Sequence, residues 1–468
     1  MVASVRYQIV EHADELISLC RSDQRTDDAE TIASELIPLC DSLQWLGQHG
    51  GRILRDRKVG LSGRPVWLWG VGSIVRRQPL GRVLILGTWN YPLLLSGVQI
   101  AQALAAGNRV WIKPAEGCEA ATQRLVTCFR NAIAGAGGDP ECLLQLDSSR
   151  QAARTAMDDG VDLVVLTGSA GTGRKVMRQA AETLMPSIME LSGADAVLVL
   201  PTTSEPPATT SRWVDLIEFG LCFNSGATCI GPRRLMLHHD EQQLLEPLVQ
   251  RLQAAKSMII HPAAREGVAD VIESAIAGGS IDRVGRFDAA ELRRCGRMMP
   301  VLLDQVPGAH SVLQSDLFAP VISVQRYRDV DQAVRWINDC PYGLAASIFG
   351  DSSVARSIAP RLEVGTVTIN DLVAPTADPR LPFGGRRQSG FGVTRGPEGL
   401  LSMTTPQSII THRGRLYPHL SRRDDTTSEL LGGVLQWRHQ PGWAAKLSAL
   451  RRITTAAGKS RRLKPLVS

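Results

Sequence analysis

Four short aliphatic runs constrain this chain more than any other feature: VLIL from Val83, NRVWIKP from Asn108, DLVVLTGS from Asp162 and DAVLVLP from Asp195. Helix-length stretches of mixed polarity separate them. Strands that alternate with helices pair through crossover connections, so the predicted fold class is α/β with parallel sheets. A second set follows with RLMLHH from Arg234, PVISVQRY from Pro320, ASIFG from Ala346 and GTVTIN from Gly365. Between the sets, TTSEPPATTS from Thr202 to Ser211 is rich in Pro, Ser and Thr and reads as a loop and domain boundary. A single hydrophobic core stops growing at roughly 250–300 residues, so 468 residues call for more than one. Two doubly wound α/β domains in series are predicted. Apolar positions at helical spacing (Leu16, Leu19, Cys20, then Ile32, Leu36, Leu39, Cys40) predict helices up to about Leu54.

Nine cysteines without a CxxC pair argue against a disulfide framework and against a zinc site, so no metal is expected. MVASVRYQIVEHADE has no basic segment followed by an apolar one, which predicts no signal peptide and a cytoplasmic location. The uncharged stretch from Val83 to Asn108 is long enough to suggest a membrane span, but Trp89-Asn90-Tyr91-Pro92 interrupts it and a strand, a turn and a helix fit better. The net charge of +6 divides unevenly. From Arg413 onward there are 12 Lys/Arg and 3 Asp/Glu, a balance of +9, which leaves −3 for the preceding 412 residues. The body therefore carries no footprint for nucleic acid.

One cysteine stands apart. In FNSGATCIGPRR, Cys229 is surrounded by small residues and glycines, where main-chain N–H groups can approach the sulfur, lower its pKa and bind an oxyanion. The ordinary alternative is a small core residue. Asn90 in TWNYP follows an apolar strand; its amide either donates to a developing negative charge or makes an Asx turn before Pro92. Lys113 and Glu116 in WIKPAEG lie past a strand end, as ligand contacts or as solvated charges. Glu190 in MELSGADAVLVL, in the turn before a strand, is a base or the cap of a loop. LTGSAGTGRKV, with Gly168, Ser169 and Gly173, opens a helix whose N-terminal amides would attract phosphate, although its glycine spacing departs from GxGxxG.

In this order, TWNYP, KPAE, TGSAGTG, ELSG and NSGATC, followed by LFAPV, PYGLAASIF and LPFGGRRQSGFG, resemble the motifs of the NAD(P)-dependent aldehyde dehydrogenase superfamily over residues 1 to 412. The short N-terminal segment is similar to that of class 3-like members, which implies a homodimer. The resemblance implies residues 1–56 and 79–193 as an NAD-binding domain and 194–372 as a catalytic domain. It implies residues 57–78 and 373–412 as a small bridging or oligomerisation element, leaving 413–468 as a basic tail. It makes Cys229 the nucleophile, Asn90 and the Cys229 N–H the oxyanion hole, and Glu190 the base that activates water. Lys113 and Glu116 would contact the adenosine ribose, Gly168, Ser169 and Gly173 the pyrophosphate region, and Asp316 and Phe318 the nicotinamide ribose. NAD is the implied cofactor, with NADP possible.

Three residues depart from the family's usual pattern: Ala227 for Gln, Ser192 for Gly and Asp316 for Glu, which shortens that carboxylate by one methylene. Leu94, Leu95, Val98, Thr228 and Ile230 would line an apolar tunnel for an apolar or lipid-derived aldehyde, with no cation evident in it. Arg233 and Arg234 read as surface charge leading into a strand. In the tail, Trp443, Leu447 and Leu450 fall at i, i+4 and i+7 with Lys446, Arg451 and Arg452 beside them. That pattern fits a helix on an anionic membrane surface, a helix on a partner subunit or a disordered extension. Two other readings stay open: a catalytically silent nucleotide-binding scaffold, and an enzyme that passes the acyl group to CoA.

Overall fold

The computed structural model describes residues 1–65, 68, 70–201, 207–241, 243–413, 417 and 425–460. The runs at Val83, Asn108 and Asp162 become the strands Arg82–Leu86, Arg109–Lys113 and Leu163–Gly168 of a six-stranded sheet. From one edge its order is Gly390–Phe391, Ser187–Leu191, Leu163–Gly168, Arg82–Leu86, Arg109–Lys113 and Leu143–Gln145. All neighbours are parallel except Gly390–Phe391, which pairs antiparallel with Ser187–Leu191. Chain order reverses between Arg82–Leu86 and Leu163–Gly168, so their carboxyl ends flank the crevice where open α/β sheets bind ligands.

A seven-stranded sheet begins four residues after Leu191. Its order is Ile281–Asp282, Val301–Asp304, Val321–Tyr327, Pro232–His238, Asp195–Val199, Ala345–Phe349 and Thr366–Ile369. Only Ile281–Asp282 runs antiparallel to its neighbour. Buried aliphatic residues cover both faces of each sheet, as burial of a parallel sheet requires. The loop read from Thr202 lies outside the described residues as far as residue 206.

The amino-terminal helical prediction corresponds to Val2–Glu11, Ala13–Cys20, Asp28–Thr31, a π turn at Ile32–Leu36 and Ile37–Leu54. The uncharged window resolves into the Arg82–Leu86 strand, a turn and the Leu94–Ala105 helix. No helix among the described residues is long and apolar enough to cross a membrane. The chain separates into two compact units, residues 1–55 with 77–406 and residues 56–76 with 407–468. In the second, the Arg57–Val59 strand pairs with Val71–Pro79, and the tail forms a hairpin of two packed helices, Asp425–His439 and Trp443–Ser460.

Gly390 shows how tightly the first sheet is closed at its edge, and Gly267 gives a contrast. Gly390 has φ +99°, and a Cβ there would stand 1.8 Å from the carbonyl oxygen of Met189, inside the edge pairing. Gly267, in the Pro262–Ala277 helix, faces open space. Gly390→Ala should lower stability by about 2–3 kcal/mol, whereas Gly267→Ala should raise it by roughly 0.5–1 kcal/mol. Denaturant unfolding of the two variants checks the contrast.

Candidate active site

The cysteine loop is shaped by left-handed backbone. Asn224, Ser225 and Gly226 have φ of 52°, 53° and 75°, a run that small or Asx-type residues tolerate best. A Cβ on Gly226 would lie 2.4 Å from the Ala319–Pro320 peptide, so this loop rests directly on the one before the Val321–Tyr327 strand. The small residues of FNSGATC thus serve close main-chain approach.

Arg233 holds the loop from beneath. Its guanidinium donates to the carbonyls of Ala319 (2.9 Å), Gly226 (2.7 Å) and Thr228 (3.1 Å). Arg234 donates to Ala194 and Trp336. Both arginines are buried, which corrects the reading of surface charge. A guanidinium can leave water when convergent carbonyls replace its hydration, and strand entry aims both forks at such carbonyls.

Asn90 meets the cysteine loop from the first sheet. Its Oδ1 accepts from the Thr88 hydroxyl at 2.6 Å and its Nδ2 donates to the Ala227 carbonyl at 2.9 Å, which fixes the amide and leaves one N–H uncommitted to these bonds. The Asn90 carbonyl accepts from Asn224 Nδ2 at 2.9 Å and from Arg25. Tyr91 shares a 2.6 Å hydrogen bond with Thr228. Arg25 pairs with Glu35 in a buried ion pair, and Glu35 Oε2 accepts from the N–H groups of Leu93 (2.7 Å) and Leu94 (2.8 Å) at the start of the Leu94–Ala105 helix. The π turn at Ile32–Leu36 carries this carboxylate.

Glu190 lies inside the Ser187–Leu191 strand rather than in the turn after it, paired with Thr167 on one side and Gly390 on the other. Its carboxylate is buried and accepts from Gln99 (3.0 Å), Thr167 (3.2 Å) and Thr394. Burial pushes its pKa above the ordinary carboxylate value, with those bonds and the Arg395 charge opposing the shift.

Cys229 corrects another expectation. Burial, together with Asp195, Glu190 and Asp316, pushes its thiol up to about 12 instead of down; Arg395 is the cation that opposes them. Loss of hydration, then the three carboxyl groups, favour the thiol over the thiolate. Asp195, whose Oδ1 accepts from the Ala345 N–H at 2.8 Å, is raised to about 8 by the same burial.

The other predicted residues fall in two groups. Lys113 ends the Arg109–Lys113 strand with Glu116 exposed in the next turn, and burial draws the Lys113 ammonium below its ordinary value. Gly168 ends its strand, and Ser169 caps the Ala170–Glu182 helix by accepting from Thr172 N–H at 3.2 Å. A Cβ on Gly173 would be 2.8 Å from Leu191, so that glycine sets helix-to-strand spacing. Asp316 and Phe318 lie on the loop beside Cys229. Asp316 accepts from the Ser192 hydroxyl and, at 3.4 Å, from the Phe318 N–H, so two departures noted in the sequence are partners of each other. The Phe318 ring stands edge-on to Trp89 at 6.1 Å. Among the described residues, His238, His239 and Asp240 place possible metal-ligand atoms within 4.8 Å of one another, but His238 already faces Arg328 O and Asp240 N–H.

With this geometry established, comparison with known proteins is decisive: the family model described as Aldehyde dehydrogenase family matches residues 1–409. The chain belongs to the aldehyde dehydrogenase family. It is 31% identical to the 4,4'-diapolycopene aldehyde oxidase of Methylomonas sp over 429 residues, covering 89% of this chain and 77% of that protein. It is 28% identical to the 4,4'-diapolycopene-4,4'-dial dehydrogenase of Cytobacillus firmus, covering 88% and 89%. Its fold is similar to that of the Mycobacterium tuberculosis aldehyde dehydrogenase complexed with NAD+, with a TM-score of 0.77 at 24% identity over 89% and 85% of the two chains. The protein is thus an oxidoreductase for aldehydes.

Sequence reasoning missed the residues that support Asn90 and Glu190. Arg25 and Thr88 meet Asn90, Gln99 meets Glu190, and Glu35 meets Arg25, only after folding, and no local pattern in the sequence signals it. Arg395 was also missed. It is buried at φ +60°, donates to Thr376 O at 2.7 Å, lies 4.5 Å over the Phe383 ring and lines a small cavity with Val98. A cation therefore does border the predicted apolar lining, and its charge acts on both Glu190 and Cys229.

Breaking one side of a buried ion pair leaves the other charge uncompensated. Glu35→Ala and Arg25→Ala should each cost about 3–5 kcal/mol, while the double variant should cost less than their sum. Unfolding free energies of the three variants check this; simple additivity would refute the coupling.

Proposed function

We propose that Cys229 attacks the aldehyde carbon, that Asn90 Nδ2 and the Cys229 N–H bind the oxygen, and that Glu190 activates the water that releases a carboxylic acid. The convergence of Cys229, Asn90 and Glu190 carries this reading. Asn90 is held by Thr88 and Ala227 with an N–H left to donate, and such a donor is worth about 3 kcal/mol to a transition state. Addition of sulfur makes a tetrahedral centre; loss of its hydrogen with two electrons makes a thioester; hydrolysis restores the thiol. Over the cycle, aldehyde and water become acid, with two electrons and the released protons removed.

NAD(P) fits the crevice at the reversal of strand order. The Ala170–Glu182 helix N-terminus offers N–H groups for a diphosphate, and the close approach at Gly173 sets that helix against the sheet. Lys113 and Glu116 would hold the adenosine ribose, Ser169 and the Gly168 turn the diphosphate, and Asp316, fixed by Ser192, and Phe318 the nicotinamide end. When bound, the dinucleotide supplies the two-electron acceptor. Glu116 favours NAD, since a carboxylate that accepts from ribose hydroxyls would repel a 2′-phosphate.

The substrate class is a long apolar aldehyde. The carotenoid-aldehyde names of two relatives support it. Acid rather than acyl-CoA is the expected product because Glu190 is present to activate water.

Cys229→Ser should abolish NADH formation with a long-chain aldehyde while NAD still quenches tryptophan fluorescence; unchanged turnover would refute the nucleophile. The raised pKa of Glu190 sets a second expectation. A carboxylic acid whose pKa is raised becomes a base only at higher pH, so the acid limb of kcat should lie above the usual glutamate value of about 4.3. Thr394→Val removes a bond that favours the carboxylate and should move that limb further up. A limb that stays in place in rate–pH profiles would count against Glu190 as the base.

A further inference from the structure

The carboxy-terminal hairpin is packed inside out. Where its two helices meet, the residues are small: Gly433 faces Ile453 and the Ala449 carbonyl, Gly432 faces Arg452, and Ala449 and Ala456 are fully buried. On each helix the large apolar side chains point away from this contact, so those of the two helices lie on opposite sides of the hairpin. Leu431 and Leu435, one turn apart on Asp425–His439, are 62% and 63% exposed, and Trp443 and Leu447 on Trp443–Ser460 are 83% and 59% exposed. Leu450 continues that stripe. At 100° per residue, Trp443, Leu447, Leu450 and Thr454 fall within about 60° of arc, and Lys446 and Arg451 flank it on opposite sides. Lys446 also lies 5.8 Å over the Trp443 ring.

Water gives no reason to expose four or five large apolar side chains while burying glycine and alanine. Small residues at the helix contact with large apolar residues outward is the arrangement that suits a surrounding lipid phase. No helix among the described residues is long and apolar enough to cross a membrane, and the stripe suits the interface rather than the bilayer core.

From the stripe and its flanking cations we infer that this hairpin seats the protein on an anionic lipid surface through the Trp443–Ser460 helix, with Trp443, Leu447 and Leu450 entering the acyl boundary and Lys446 and Arg451 meeting the headgroups. The attraction between Lys446, Arg451 and acidic headgroups favours lipid over a second copy of this chain, whose matching stripe would carry the same charges. Docking stands on the hairpin alone. Its benefit rests on the proposed substrate class: a long apolar aldehyde partitions into lipid, so an enzyme held at that surface meets it at far higher local concentration.

The test uses the full chain and vesicles made of equal parts phosphatidylcholine and phosphatidylglycerol, with phosphatidylcholine vesicles for comparison, in a flotation assay without substrate. The protein should float with the mixed vesicles, and raising salt should weaken binding. Trp443→Ser/Leu447→Ser/Leu450→Ser should weaken it at least tenfold while oxidation of a short water-soluble aldehyde is unchanged, which shows that the variant is folded. Absence of binding, or binding indifferent to these changes, overturns the inference without touching the proposed chemistry. Light scattering that shows a dimer dispersed by the same substitutions also overturns it and assigns the face to a second copy. Loss of turnover in Cys229→Ser with vesicle binding intact separates the two readings.

Discussion

The buried pair of Arg25 and Glu35 is the interaction on which the rest of the site depends. Glu35 terminates the Leu94–Ala105 helix through two main-chain N–H groups, and Arg25 carries the remaining charge to the Asn90 carbonyl. Asn224 reaches the same carbonyl from the cysteine loop, and its N–H donates to Glu30 at 2.6 Å. Residues 24–35 therefore bind both sides of the crevice: the turn after the first strand and the loop that holds the thiol. A short amino-terminal segment does this with charges because helix ends and left-handed turns leave main-chain groups that apolar packing cannot satisfy.

Electrostatics then sets the state of the thiol. Three carboxyl groups and burial favour the protonated form, and Arg395 is the opposing cation. A thiol held in this way becomes a nucleophile only when its proton is taken up. The same guanidinium favours the ionised form of Glu190, so one buried cation biases both proposed reacting groups toward their working states.

Much of the architecture was legible because parallel strands are apolar throughout and stand out against amphipathic helices. The strands near Val83, Asn108, Asp162, Asp195, Arg234, Pro320, Ala346 and Gly365 all occur. Gly390–Phe391 was not foreseen, since a two-residue edge strand has no period to read, and Glu190 was placed in a turn because Ser192-Gly193 follows it. Motif order located Cys229, Asn90 and Glu190, each quoted from a local pattern. Their supports were invisible: Arg25 and Thr394 act across separations of 65 and 204 residues. Arg233 and Arg234 show the limit of reading charge as exposure, because what buries a guanidinium is a set of carbonyls contributed by distant chain.

The account turns on whether the fixed amide of Asn90 stabilises charge that develops on the aldehyde oxygen. Steady-state kinetics of Asn90→Ala, compared with the parent protein at matched folded fraction, addresses this most directly. Loss of a transition-state donor predicts kcat lower by about 10²–10³ with KM little changed. Retention of kcat, or a change confined to KM, would contradict it.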